Sequence, residues 1–491
     1  MSTLLNLILI KLPKSYKLSF MPTKSPQYHL AVFGCQMNVS DGERAAKVLE
    51  DIGYTKANTE KEADLIMVLS CSVRQKAVDR IHGKIADWDK MKKKKPLVTI
   101  LSGCVLPHDK ANMGQRFDLV LDIKDLLNLP KELEKMKNTK LTGADKGIYQ
   151  EKYADNYFAV KPKYANDFQA FVPVMTGCNA FCTYCAVPYT RGRELCRHPK
   201  EVIQEVFELV KHDYKEVTLL GQIINKYMVK VDEPFKKWLD VFLKEIHAPK
   251  LPELESEYYK DKNIFKFPQL LAVLASIPGN WWLRYTSSHP KWFTDELIDT
   301  LARYDRIPRH AHLPVQAGDD AVLKRMLRPY TIEEYTKIVK ALRHKIPDLA
   351  VTTDCIVGFP GETEKQFQST LNLFENVKYD MAFTAQFSPR PGSVAGKWPD
   401  DVTHKEKARR EKELNEILKK TALEQNDKLL NKVVKVLGIK SKKSGKQYQV
   451  DGRTEGLKAI RFTSSKNAVG EFVKLRVTKS TPWHLQGELV K

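Results

Sequence analysis

The chain has 491 residues, too many for one ordinary hydrophobic core, and a usual domain size of about 150 residues predicts about three domains. With 42% hydrophobic and 29% charged residues, and its 25 Pro and 23 Gly scattered, it falls outside the disordered, collagenous and low-complexity classes. A net charge of +21 and a pI of about 9.3 favour a polyanionic partner, because Lys and Arg that neutralise phosphates supply affinity without reading sequence; charge alone leaves RNA, DNA, an anionic membrane surface or a merely well-solvated lysine surface open.

Residues 1–26 read as an N-terminal extension. The apolar run from Leu4 to Ile10 has no basic region before it and no small-residue cleavage site after it, so it is not expected to be a secretory signal, and Met21 is an alternative start. No run of 18 apolar residues predicts a membrane span. Eight cysteines without a secretion signal point to metal or redox chemistry in a reducing compartment, hence a cytoplasmic protein, rather than to a disulfide framework.

Residues 27–142 alternate short apolar runs with amphipathic segments: 29–33 then 41–52, 65–69 then 74–91, followed by 97–101 and 117–121. That alternation predicts a Rossmann-like α/β domain with a mostly parallel sheet. Three strand candidates end within a few residues of Cys35, Cys71 and Cys104. Ligands collect at the carboxyl ends of parallel strands, so cysteines about 35 residues apart are able to meet there; three unrelated half-buried thiols are the competing reading.

A polar stretch from Asn138 to Asn166 reads as a linker. Residues 164–423 then carry six strand candidates, at 171–176, 216–220, 282–286, 311–316, 350–357 and 381–387, separated by helical patterns. Six β/α units predict a partial, TIM-like (β/α)6 barrel that does not close, interrupted by an insertion from Met228 to Phe267. Beyond a charged helix at 403–426, residues 425–491 show short strands at 433–439, 448–450, 460–462, 471–477 and 486–490, as in a small five-stranded antiparallel, OB-like barrel. From Lys428 to Lys491 there are 15 basic and 4 acidic residues, a bias that matches a nucleic-acid footprint.

The strongest chemical signal is Cys178, Cys182 and Cys185, a C-x3-C-x2-C cluster after the first barrel strand. Three thiolates so close suit an iron–sulfur cluster, and three ligands to a 4Fe-4S cube leave one iron open. Structural zinc requires four ligands, and the next cysteine, Cys196, stands eleven residues on.

With Tyr184 before its last cysteine, this cluster resembles the radical S-adenosylmethionine (SAM) signature. Val187-Pro188-Tyr189-Thr190-Arg191-Gly192 and Phe33-Gly34-Cys35-Gln36-Met37-Asn38 narrow the resemblance to the methylthiotransferases. It continues through Leu220-Gly221-Gln222, Thr286-Ser287-Ser288-His289-Pro290, His312-Leu313-Pro314-Val315-Gln316, the run from Ile356 to Thr363, and the run from Phe387 to Gly392. The C-terminal barrel, with Gly452-Arg453-Thr454-Glu455 and the run from Trp483 to Gly487, resembles the TRAM RNA-binding domain. The Cys-Gln-Met-Asn motif is most similar to the MiaB branch of the family. The resemblance implies a SAM-binding 4Fe-4S cluster on Cys178, Cys182 and Cys185, and an auxiliary 4Fe-4S cluster on Cys35, Cys71 and Cys104.

It also implies methylthiolation of C2 of N6-isopentenyladenosine at position 37 of tRNA, with SAM as both radical source and methyl donor. An adenine C2–H bond is too strong for acid–base removal, and a 5′-deoxyadenosyl radical meets that need. Within the family, threonylcarbamoyladenosine in tRNA or a ribosomal-protein aspartate are alternative targets; a non-catalytic iron–sulfur RNA-binding or regulatory protein is an alternative of another class. The implied partners are tRNA, an electron donor such as flavodoxin or ferredoxin, and cluster assembly or carrier proteins, with the chain acting as a monomer.

Further residues expected at SAM are Tyr184, Gly221, Gln222, Gln316, Gly358, Gly361 and Glu362, the glycines because they admit close backbone approach after a strand. Arg191 is expected to touch SAM or RNA or to organise a loop, Cys355 to be core, and Cys196 to have no ligand role. Leu69-Ser70 before Cys71, where the family has Asn-Thr, and Val105-Leu106-Pro107 after Cys104, where it has Met-Ala-Gln, bear on substrate choice more than on chemistry.

Overall fold

Strands with continuous apolar runs need cover on both faces, and the segments between them supply it. The computed structural model describes residues 25–72, 75–138, 154–255 and 263–490, so most of the N-terminal extension, part of the linker and the middle of the insertion lie outside the described residues. In the N-terminal domain the strands Thr55–Lys56, Gln27–Phe33, Leu65–Cys71, Val98–Cys104 and Leu119–Val120 lie side by side in that order, all parallel, as anticipated. Leu65–Cys71 is buried at every position, as a central strand between two helical layers must be. The helix Gln36–Asp51 covers one face and Gln75–Lys92 the other, each over its own apolar cluster.

The central strands Gln169–Pro173, Glu216–Leu220, Trp282–Tyr285, His310–His312, Ala350–Val357 and Met381–Gln386 stand in chain order, with helices between them, so the (β/α)6 reading holds. The ladder, however, divides into two parallel three-stranded sheets between the third and fourth strands. The fourth strand ends at His312 rather than at Gln316. Pro314 has no N–H to give a ladder, and Gln316 takes a left-handed turn (φ 72°) before rejoining at a single bridge to Cys355. The helix Gln36–Asp51 runs along the first barrel strand: Ser40 Oγ donates to Phe171 O (3.4 Å), and the amides of Lys163 and Ala165 donate to Glu43. The N-terminal domain thereby covers a sheet edge that would otherwise be free to pair.

The described part of the Met228–Phe267 insertion is a wall element. Met228–Lys230 pairs with Ile264–Lys266, and the helix Glu233–Glu245, capped by Asp232, buries Phe235, Leu239 and Phe242 in the main core beside Phe207.

At the C-terminus, strands Val433–Ser444, Gln447–Thr454, Ala459–Ser464, Leu485–Leu489 and Phe472–Ser480 close a barrel. Four pairings are antiparallel, but Ala459–Ser464 and Leu485–Leu489 run parallel, so the barrel is not wholly antiparallel as expected. It docks on the amino-terminal end of the central strands. There Arg284 donates to the carbonyls of Thr454 (3.0 Å) and Glu455 (2.8 Å), and Trp282 meets Phe472 edge-on. Gly470, at φ 78°, brings its backbone to where a Cβ would stand 3.3 Å from Phe168, which no other residue meets without strain.

Candidate metal centres

Strand register decides where the N-terminal cysteines go. Cys71 and Cys104 are register partners at the ends of adjacent parallel strands, and Cys35 lies two residues past the end of Gln27–Phe33. Burial pushes the Cys104 thiol up to about 12; Arg191 opposes this, while Cys71 and Cys35 add to it. Cys35 caps the helix Gln36–Asp51, with Asn38 folded back onto it, and Asn38 Nδ2 also points at Cys104 Sγ (3.8 Å).

The second set sits on the loop after Met175–Thr176. Gly177 turns the chain at φ 78°, where a Cβ would fall 1.9 Å from the Arg193 carbonyl, and Phe181 follows at φ 51°. Thr183 pins the loop: its amide donates to Met326 O, its hydroxyl to Arg325 O (2.9 Å), and its carbonyl accepts from Ala395 N (2.8 Å). Burial drives Cys185 up to about 12, moderated by the Val187 amide, with Cys182 and Cys178 raising it further.

Do these residues fit iron–sulfur clusters? Each sulfur of the second set already faces an N–H: Ala180 N to Cys178 (3.4 Å), Arg328 to Cys182 (3.6 Å) and Val187 N to Cys185 (3.4 Å). Such bonds are what cluster thiolates accept, whereas three neighbouring thiolates without a cation repel one another. Among the described residues no group of three or more His, Cys, Asp and Glu side chains is set to hold a metal ion. Three thiolates, each with an N–H facing its sulfur, fit the donor chemistry of an iron–sulfur cluster.

The domains meet at these centres. Arg191, on the short helix that starts two residues after Cys185, is buried and donates through Nε to Cys104 Sγ (2.9 Å) and through its fork to Asp41 (3.4 and 2.5 Å).

The radical SAM superfamily model matches residues 172–374, and the model of the uncharacterized protein family UPF0004 matches residues 27–122. The tRNA-2-methylthio-N(6)-dimethylallyladenosine synthase of Thermoanaerobacter sp. (strain X514) is 36% identical over 95% of this chain and 93% of that protein. The protein of the same name from Carboxydothermus hydrogenoformans is also 36% identical, over 94% of this chain and 99% of its own. The chain belongs to this radical SAM methylthiotransferase family. A solved structure of the radical SAM methyltransferase TsrM from Kitasatospora setae overlays with a TM-score of 0.49 at 13% identity, covering 76% of this chain and 77% of that one, too loose a likeness to argue from. Membership in this radical SAM family brings 4Fe-4S and SAM as cofactors.

The residues expected at SAM divide. Gln222 keeps a buried Oε1 without a hydrogen-bond partner, as a ligand-binding amide would, and His289, quoted only within a motif, keeps Nε2 in the same state. Tyr184 packs edge-on to Phe359, fixing the cluster loop. Gly221 lets Met175 and Ile224 close in beneath that loop, and Gln316 makes the strand bridge described above. At the other three positions the structure shows contacts within the protein. Glu362 accepts from the Gly358 amide (2.6 Å) and from Arg410 (2.9 Å). Gly358 admits Lys407, whose Cγ would lie 2.4 Å from a Cβ, and Gly361 turns at φ 75° with its amide on Asp401 (2.7 Å). Arg328 was invisible in the sequence because it stands 146 residues from the thiol it faces. Also unforeseen is the inner barrel wall, where His310 and His312 share the Thr352 hydroxyl (2.9 and 3.0 Å) and His312 Nε2 faces Asp354 (3.5 Å) near the exposed Phe383 ring.

Proposed function

We propose that the chain methylthiolates C2 of N6-isopentenyladenosine at position 37 of tRNA. The observation that carries this is the Arg191 contact to Cys104, which sets the helix that follows one cysteine triad against a member of the other across the domain interface, in a chain whose relatives bear the synthase name along nearly its whole length. Cys178, Cys182 and Cys185 would hold the SAM-binding cluster and Cys35, Cys71 and Cys104 the auxiliary one. When bound, these clusters supply the one-electron and sulfur chemistry that no side chain provides.

The chain's own residues prepare that chemistry. The Ala180 and Val187 amides and the Arg328 guanidinium place hydrogen bonds on the first set of sulfurs, while Thr183 and Tyr184 hold the loop that carries them. Labour divides among residues 27–142 for the auxiliary centre, 164–423 for SAM and 425–491 for RNA. The basic barrel sits a strand length, on the order of 20 Å, from the cysteines, which suits a long polyanion better than a short peptide. An electron donor such as flavodoxin or ferredoxin, cluster carrier proteins, a monomeric state and a cytoplasmic site complete the reading; no described helix is long and apolar enough to cross a membrane.

Anaerobic reconstitution is expected to load about eight irons per chain. Cys178→Ala, Cys182→Ala or Cys185→Ala should end SAM cleavage. Cys35→Ala, Cys71→Ala or Cys104→Ala should keep 5′-deoxyadenosine formation but lose the methylthio product in tRNA nucleosides read by mass spectrometry. Normal 2-methylthio yield from the second group would overturn the reading.

A further inference from the structure

Holding a cysteine in place does not require the network that surrounds Cys104. Arg191 and Asp41 are exposed by only 2% and 0%. The guanidinium comes from the radical SAM domain; the carboxylate and the thiol come from the N-terminal domain. Asp41 also accepts from the Tyr157 hydroxyl (2.7 Å) and from Asn38 Nδ2 (3.5 Å), so its second role as a hydrogen-bond hub is filled from its own side. Burying this charge is costly, and the cost is offset only where every partner is in place. A guanidinium stays charged throughout the pH range in which proteins fold, so the charge is fixed. From Cys185 the path to Cys104 is one turn of helix and one N–H···S bond.

We propose that Arg191 is a positioning residue that tunes the auxiliary cluster: it delivers a fixed positive charge and a hydrogen bond to the Cys104 thiolate from across the domain interface, making that cluster easier to reduce. The inference rests on Cys104 being an auxiliary-cluster ligand. Reduction adds one electron from an external low-potential donor, with no bond made or broken and no proton required. A cation 2.9 Å from a ligand sulfur, out of water, stabilises the added negative charge. Asp41 lies on the far side of the fork and cancels part of that charge, so the two residues act with opposite sign. Lysine is a poor substitute, because one ammonium does not reach the thiol and both carboxylate oxygens in the arginine's planar geometry.

The test uses the full-length chain carrying Cys178→Ala, Cys182→Ala and Cys185→Ala, so that only the auxiliary cluster is loaded, and follows its EPR signal during titration with dithionite. Arg191→Gln should move the midpoint to more negative potential, Asp41→Asn to more positive potential, and Arg191→Lys should fall between Arg191→Gln and the parent. Should Arg191→Gln fail to take up iron, the Asp41→Asn shift decides. Midpoints and g-values unchanged in the loaded variants, or an Asp41→Asn shift toward negative potential, would leave Arg191 as a plain interdomain tie and overturn the proposal. Iron content of Cys104→Ala in the same background tests the foundation separately: full iron with an unchanged spectrum would remove Cys104 as a ligand, whatever the titrations read.

Discussion

Arg284 ties the C-terminal barrel to the central strands, and replacing it tests the docking. Its Nε pairs with Glu216 (2.5 Å), both side chains are nearly fully buried, and its two terminal nitrogens serve carbonyls of the C-terminal barrel. Burial pulls the Arg284 pKa down despite Glu216, so desolvation already outweighs the pairing. Arg284→Ala strands the Glu216 carboxylate, which keeps only the Gln169 amide on Oε1 (2.7 Å). Breaking a buried pair on one side costs about 3–5 kcal/mol, and the two orphaned carbonyls add to it. That is a large share of a stability of about 5–15 kcal/mol. The assay is urea unfolding followed by tryptophan fluorescence, since Trp282 lies in the contact, with limited proteolysis between Asp427 and Val433. The double variant Arg284→Met, Glu216→Gln removes both charges and keeps an acceptor for Gln169; it should cost about 1–2 kcal/mol, less than the single change. If Arg284→Ala unfolds within about 0.5 kcal/mol of the parent and resists protease equally, the barrel is held by something other than this residue.

Glu43 predicts a pH dependence: burial raises its pKa from 4.5 to about 7 against the opposing Ala165 amide and Arg44. The folded state holds this proton up to about pH 7 and the unfolded chain only to about 4.5, so stability falls as pH rises through that window. Glu43→Gln should therefore stabilise the protein at pH 8 by up to about 3 kcal/mol and by nothing at pH 4, and a pH-independent difference in melting would refute this. Neutralising Lys440, Lys442, Lys443 and Lys446, all exposed, should weaken tRNA binding and flatten the slope of log K against log salt by about 0.9 or less per lost contact, whereas an unchanged slope would place the RNA elsewhere. Gly177→Ala should distort the turn into Cys178 and lower iron and SAM cleavage at the first site while leaving the auxiliary cluster's spectrum in place, and wild-type cleavage would mean that the loop relaxes freely.

Much was legible in the linear order of residues. Cys178, Cys182 and Cys185 are neighbours in the chain, so their grouping needs no fold to reveal it. Period-2 and period-3.6 apolar patterns announced a parallel N-terminal sheet, six β/α units and a terminal barrel, because burial selects those patterns locally. Even the gathering of Cys35, Cys71 and Cys104 followed from one rule about strand ends. Tertiary structure decided what depends on partners far apart in sequence: Arg191 on Cys104 across 87 residues, Arg328 on Cys182 across 146, and Arg284 on the Thr454 carbonyl across 170. It also set Glu362 and Gly358 against Arg410 and Lys407 of the last barrel helix. An arginine or a glycine carries no mark of its eventual neighbour. Only packing brings the charge and the thiolate together, or fills the space where a Cβ would have stood.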